Sequence, residues 1–392
     1  RREYEAPRAL SCGMPRSTRT VQFALAERIA HLDSAAWTSL TKDASVFLQA
    51  PFLTALEQAL PANVSPRYAL MYAGDEAIAA LCMQLVRVEG RATVAASVPM
   101  SGLTHLFDER ALVLGSLVGW GDTGLVMRAD ADVDLVWREA VRLMDRLRRF
   151  EKSEGVVNVS FIKDAVTAAH EPTLRRQGYQ LAPSGADMQL ALDPSWRTLG
   201  DYLGSLASNP RRAVKKTLQQ LELAGYVTRE LSVADLEKNE ARLDALYGQV
   251  WANADVRPLR LSGRFFVELK RRLPASCAIF GLEKGGNLDA FGVCLKSHHT
   301  CVGYYLGYDK AVDAPLYLRL LISVIEQAIA WRSTSASMGR TSEEPKARLG
   351  AVAGPSSLWV KHRVPPLNWA VGAVLGTLEE AEVPTHRVFR QS

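Results

Sequence analysis

The chain has no run of about 18 apolar residues, so its sequence offers no helix to span a membrane. Cysteine is scarce, with five in 392 residues at irregular spacing: Cys12, Cys82, Cys277, Cys294 and Cys301. An odd count without a CxxC pair excludes a disulfide framework and a cysteine zinc site, and reads as a protein of the reducing cytoplasm. Three of the five sit in apolar strand-like runs, where Cys acts as a small buried hydrophobe. The G-x-S-x-G elbow, the P-loop and HExxH are all missing, which argues against hydrolase, kinase and zinc-protease chemistry. His298 and His299 are adjacent and would face opposite sides of a strand, so they read as a loop pair, and no metal is expected. Charge of one sign is also limited. The net charge of +5 permits an anionic partner without requiring one, and a solvated basic surface is the plainer reading.

What is present suits a globular protein with two cores, since 48% of the residues are hydrophobic. The first twenty residues are rich in Arg, Pro and Ser and lack the apolar core of a secretory signal. They read as a disordered tail, 1–20, with Met14 a candidate start. Glu3, Glu5 and the prolines oppose a mitochondrial presequence.

The best-organised stretch runs from Gly303 to Lys346. An apolar run, Val302 to Leu306, reads as a buried strand. A polar loop with Asp309, Lys310 and Asp313 leads to an amphipathic helix, with Asp313 as N-cap and Pro315 in the first turn. Leu316, Leu320, Leu321, Val324, Ala328 and Ile329 make its apolar face. A short strand at 335–338 and a charged loop, Gly339 to Lys346, follow. Strand, loop, helix, strand is a geometry in which α/β proteins bind anions and substrates.

Elsewhere, strands at 68–72 and 77–86 meet at Gly74-Asp75 as a hairpin. A helix is expected over 133–150 and a strand over 156–162. A basic helix, 209–225, opens at Asn209-Pro210 and stops at Gly225. The order then repeats. Phe265 stands 213 residues after Phe52, and Pro274 stands 213 after Pro61. Each copy of this Phe…Leu…Leu-Pro helix precedes a strand, a glycine turn and a second strand, which indicates two related α/β domains. They are expected over 21–185 and 186–392.

Helix, hairpin, central strand, ligand loop, long helix, strand, taken twice with a basic helix at the second, resembles the FemAB-like branch of the GNAT acyltransferases, in particular the peptidoglycan biosynthesis/recognition type. The likeness rests on Pro51-Phe52-Leu53, Leu199-Gly200-Asp201-Tyr202-Leu203, Ser208-Asn209-Pro210-Arg211-Arg212, Gly263-Arg264-Phe265-Phe266, Gly303-Tyr304-Tyr305-Leu306-Gly307 and Glu344-Pro345-Lys346. It implies an α/β (α+β) fold of two tandem GNAT-like domains, each a mixed central sheet flanked by helices. It also implies acyl or aminoacyl transfer to an amine on a small-molecule or peptide-like acceptor. The donor would be a coenzyme A thioester, an acyl carrier protein or an aminoacyl-tRNA, with no tightly bound cofactor. The loop Gly307 to Pro315 lacks the glycines that bring backbone amides to a pyrophosphate, and carries two aspartates. A degenerate pair that only recognises a peptide or cell-wall precursor is the alternative.

Within that resemblance, Glu344, Lys346 and Tyr305 are the candidate catalytic residues. Glu344 and Lys346 also read as a solvated turn. Arg340, Thr341, Trp251 and Tyr304 are candidate substrate contacts, with Asn253 and Asp255 beside Trp251. Tyr304 and Tyr305 are expected on opposite faces of their strand. Arg211, Arg212, Lys215 and Lys216 form a basic patch for donor phosphates or tRNA, or a solvated helix face.

Overall fold

The computed structural model describes residues 21–88, 109–151, 155–164, 170–182, 184–253, 259–375 and 383–390. The expected tail at 1–20, Cys12 and Asp255 lie outside them.

Two mixed sheets carry the fold. The first is built from β1 (Val21–Ala26), β2 (Val64–Ala73), β3 (Glu76–Val88), β4 (Glu109–Leu114), β5 (Leu125–Met127), β6 (Val157–Lys163) and β7 (Gln180–Ala182). The second holds β8 (Asp187–Ala191), β9 (Val227–Glu230), β10 (Cys277–Lys284), β11 (Asn287–Ser297), β12 (Thr300–Tyr308), β13 (Ser335–Ser337) and β14 (Val352–Gly354). The last strand, β15 (Leu358–His362), returns to the first sheet, between β6 and β7.

The repeat read from sequence is visible in this order. Helix Ala50–Glu57 precedes the hairpin β2–β3, and helix Gly263–Arg272 precedes the hairpin β10–β11. β4 pairs in parallel with β6 across helix Val133–Phe150, and β12 pairs in parallel with β13 across helix Leu316–Ala330. The two equivalent helices pack against each other, with Phe52 and Phe265 edge to face at 6.3 Å. Phe52, Leu53, Phe265, Phe266 and Leu269 are fully buried there, each side chain contributing roughly 1.5–3 kcal/mol relative to exposure. One core cluster therefore spans both units.

One strand crosses back between the units. β8 follows β7 in the chain but inserts between β13 and β14 of the second sheet, while β15 follows β14 but inserts between β6 and β7 of the first. The expected assignment of 186–392 to the second unit is corrected at this point. Residues 358–362 belong to the first sheet because β15 pairs antiparallel with both β6 and β7.

Two local expectations change. The long helix is N-capped by Pro315, with no side-chain cap, and Asp313 is exposed. Asp309 instead accepts from the Ala311 amide (3.0 Å) and the Arg242 guanidinium (2.9 Å), which holds its carboxyl below the usual range. The charged loop ends in a short helix, Glu343–Ala347. His298 and His299 form the expected loop pair, in the β11–β12 turn, with His298 at φ +51°.

Helix Glu240–Trp251 runs directly over β12 at Gly307. A Cβ there would lie 2.5 Å from Phe291 and 2.6 Å from the Tyr247 backbone nitrogen. The Gly307→Ala variant is expected to lose about 2 kcal/mol in urea denaturation, since backbone cannot move aside as a side-chain end can. A loss below about 0.5 kcal/mol would show that the helix is free to shift.

Candidate active site

β12 is the central strand of the second sheet, and two irregularities open it. It pairs with β13 only over Thr300 to Val302, and beyond that the two strands separate. On its other side Leu306 faces Gly292 and Gly303 faces Cys294, so Tyr304 and Tyr305 together oppose Val293. That is a β-bulge. One extra residue puts two consecutive side chains on one face. The expected alternation of Tyr304 and Tyr305 is thus corrected: their rings lie 4.4 Å apart, both on the side of helix Glu240–Trp251.

Tyr305 packs edge to face on Tyr247 at 5.3 Å. Burial, then the neighbouring Tyr247, pushes the Tyr305 phenol well above its usual range, so it stays protonated. Tyr304 is 6% exposed, among Phe47, Phe52, Trp120 and Phe265. Its hydroxyl is buried with no hydrogen-bond partner.

Two cavities meet where the strands separate. The larger, about 630 Å³, passes through the second sheet. One side is lined by Tyr317, Leu320 and Val324 of the long helix, the other by Tyr247, Val250, Trp251 and Leu259. The smaller, about 500 Å³, lies toward the first unit and holds Asp43, Asp122, Asp164 and Asp187 in its wall. Trp120 and Lys163 line both.

The junction is built by residues of both units. The Trp120 indole N–H donates to Ser337 Oγ (2.7 Å), which donates to Asp187 Oδ1 (2.8 Å). Asp187 also accepts from the Gly339 amide (3.1 Å) and from Gln189 (3.1 Å); burial pushes its carboxyl up against these bonds. Asp164, 1% exposed, accepts from Lys163 (2.9 Å), from Ser356 (3.2 Å) and from the Arg340 guanidinium. Lys163 also donates to Gly119 O, and burial pushes its ammonium down despite Asp164.

The expected site residues separate into three groups. Tyr304, Tyr305, Trp251, Arg340, Thr341 and Lys346 all line the larger cavity. Within that group, the Lys346 ammonium is buried, with all three donors on the carbonyls of Gly339 (2.9 Å), Arg340 (3.0 Å) and Thr341 (2.6 Å). This cage turns the loop: Thr341 and Ser342 sit at φ +68° and +50°, a left-handed conformation costly for side-chain-bearing residues. Trp251 donates its indole N–H to Leu259 O (3.0 Å).

Glu344 lines neither cavity. Its carboxylate accepts from His386 (3.0 Å) and Arg348 (2.7 Å), which hold it below the usual range. Arg211, Arg212, Lys215 and Lys216 form the third group, on helix Ser208–Leu223, and line neither cavity. Asn253 is exposed.

Sequence reasoning missed Trp120, Lys163, Asp164, Asp187 and Ser337. A readable signal existed for one of them, since Asp187 opens an apolar strand run where a carboxylate needs a reason. Among the described residues no group of His, Cys, Asp and Glu could hold a metal ion. Nor is any helix among them long and apolar enough to cross a membrane.

Residues 208–346 match the family model of the acetyltransferase (GNAT) domain. No curated protein sequence matches the chain. Among solved structures, FemX superposes with a TM-score of 0.55 at 10% identity, over 87% of this chain and 99% of FemX. The C-terminal domain (DUF2156) of a putative lysylphosphatidylglycerol synthetase from Agrobacterium fabrum gives 0.52 at 10% identity, over 90% and 98%. A conserved protein of unknown function from Bacteroides thetaiotaomicron gives 0.50 at 11% identity, over 86% and 99%. The chain has a tandem GNAT, FemAB-like fold, and the stretch that matches the GNAT acetyltransferase model, 208–346, lies in its second unit.

Proposed function

We propose that this tandem GNAT chain forms an amide bond, transferring an acyl or aminoacyl group from an activated donor to an amine on a small or peptide-like acceptor. The observation that carries the reading is the bulge at Tyr304-Tyr305, at the point where β12 parts from β13 and two cavities abut. A donor in the larger cavity brings its carbonyl to the bulge. An amine in the smaller cavity approaches from the carboxylate side. The donor pool is a coenzyme A thioester, an acyl carrier protein or an aminoacyl-tRNA, none of them tightly bound.

The chemistry asks for positioning and charge stabilisation rather than a covalent intermediate. The amine nitrogen bonds to the acyl carbon, and the bond from that carbon to the leaving sulfur or oxygen breaks. The proton that the amine gives up balances the one that the leaving atom takes. A bulge leaves backbone groups outside the ladder, and such N–H groups suit the oxyanion. Tyr305 stays protonated and lines the larger cavity, so its phenol is the group on hand to donate to the leaving atom. Lys346 acts as a positioning residue through the carbonyl cage.

The test is amide formation, followed by mass spectrometry, from acyl-coenzyme A, acyl carrier protein and aminoacyl-tRNA donors with a panel of primary amines. The Tyr305→Phe variant is expected to lower kcat about a hundredfold with a native melting temperature. Equal kcat in the variant would remove Tyr305 from the chemistry. Ligands that raise the melting temperature without any turnover would favour the non-catalytic recognition reading.

A further inference from the structure

The two cavities differ in charge, and the difference bears on what is transferred. Among the described residues, no Asp or Glu lines the larger cavity, whereas four aspartates line the smaller. The charges on the wall of the larger cavity are paired or caged: Lys163 and Arg340 pair with Asp164, Arg340 keeping one buried N–H (Nε) without a partner, and Lys346 sits in its cage of carbonyls. Past the bulge the wall is Tyr247, Val250, Trp251 and Leu259, with Leu117 and Val118 from the first unit. Five tyrosines also line it, of which Tyr247 and Tyr305 pack edge to face and Tyr304 has its hydroxyl buried without a partner.

An aminoacyl group would bring an α-ammonium into this chamber. A buried ammonium without a carboxylate is strongly disfavoured. An acyl chain brings only apolar surface, which this wall accepts, and one carbonyl, which stays at the bulge. An acetyl group alone would leave the apolar wall beyond the bulge without contact.

We infer that the transferred group is an uncharged, apolar acyl group larger than acetyl, and not an aminoacyl group. The inference rests on the transferase reading above and narrows its donor. In the transfer, the acyl carbon gains the bond to the amine nitrogen and loses its bond to sulfur, and the thiolate leaves with the equivalent of the amine's proton.

The experiment uses the full chain with three N-acetylcysteamine thioesters: acetyl, 4-methylpentanoyl and leucyl. The last two differ only in the α-ammonium. Amide formation on a panel of primary amines gives kcat/KM, and thermal shift gives binding. The 4-methylpentanoyl donor is expected to exceed both leucyl and acetyl at least tenfold. Val250→Trp, at a half-buried wall position, is expected to lower the ratio of 4-methylpentanoyl to acetyl. Val250→Asp is expected to raise the ratio of leucyl to 4-methylpentanoyl, with circular dichroism confirming that each variant folds. Leucyl equal to or better than 4-methylpentanoyl overturns the inference, as does acetyl equal to or better than it, and the transferase reading survives either result. No transfer and no thermal shift with any thioester, acyl-coenzyme A or carrier-bound donor overturns the transferase reading itself.

Discussion

The Asp164→Ala variant is expected to lose about 3–5 kcal/mol of stability, the cost of stripping the partner from a buried charge. Asp164 lies at the end of β6 in the first unit and is 1% exposed. It is the shared acceptor of Lys163 beside it and of Arg340 from the second unit, 176 residues away in sequence. Removing it leaves two cations facing each other in a site that water reaches poorly. Urea denaturation measures the loss. The double variant Asp164→Ala/Arg340→Met is expected to recover part of it, because one unpaired charge then disappears. A loss under about 1 kcal/mol for the single variant would mean that the pair behaves as a surface ion pair and does not join the units.

The Lys346→Met variant has the second large effect. Methionine keeps the buried stem and removes the ammonium, so three consecutive carbonyls lose their donor. At about 1 kcal/mol or more each, the loss is roughly 3 kcal/mol. The left-handed backbone at Thr341 and Ser342 is then free to relax, and the donor cavity loses one wall. Lys346 also leaves a pH signature. Burial lowers its ammonium from 10.5 to about 8. Between those values the unfolded chain binds the proton and the folded chain does not, so this residue's contribution rises with pH. It is fully present above 10.5 and lost as pH falls through about 8, a span of about 3 kcal/mol. In Lys346→Met that slope is expected to vanish from a series of denaturation curves. An unchanged slope would assign the titration to another group.

Some of this was legible in the sequence because it is local. Helix Val133–Phe150 is read to the residue: Asp132 caps it through the Leu135 amide, and Val136, Ala140, Val141, Met144 and Leu147 repeat at helical spacing. The Phe52 and Phe265 helices announced the duplication, and the structure adds that these same helices are what the units bury against each other. The bulge was not legible. Tyr304-Tyr305 reads as ordinary alternation, and only the partner strand at Gly292 and Cys294 decides the register. Glu344 and Lys346 carry the same signal in sequence, two charges in a polar turn. Packing separates them, one into solvent and one into a cage. Arg340 was legible as a candidate contact, but its pairing with Asp164 gave no signal, since no local pattern reports a contact 176 residues away.

The return of β15 to the first sheet bears on how the chain is made. A ribosome releases the first unit long before residue 358, yet the gap between β6 and β7 stays open until β15 arrives. During that interval the first sheet presents bare edges, and the helper most able to close them is the chain's own end. Cutting the gene between residues 185 and 186 would leave the first fragment without β15, while the second fragment would hold every strand of its own sheet. The first fragment is expected to fold only when mixed with the second, which supplies the missing strand. The same closure means that the halves cannot swing apart as hinged domains do without first unzipping a strand.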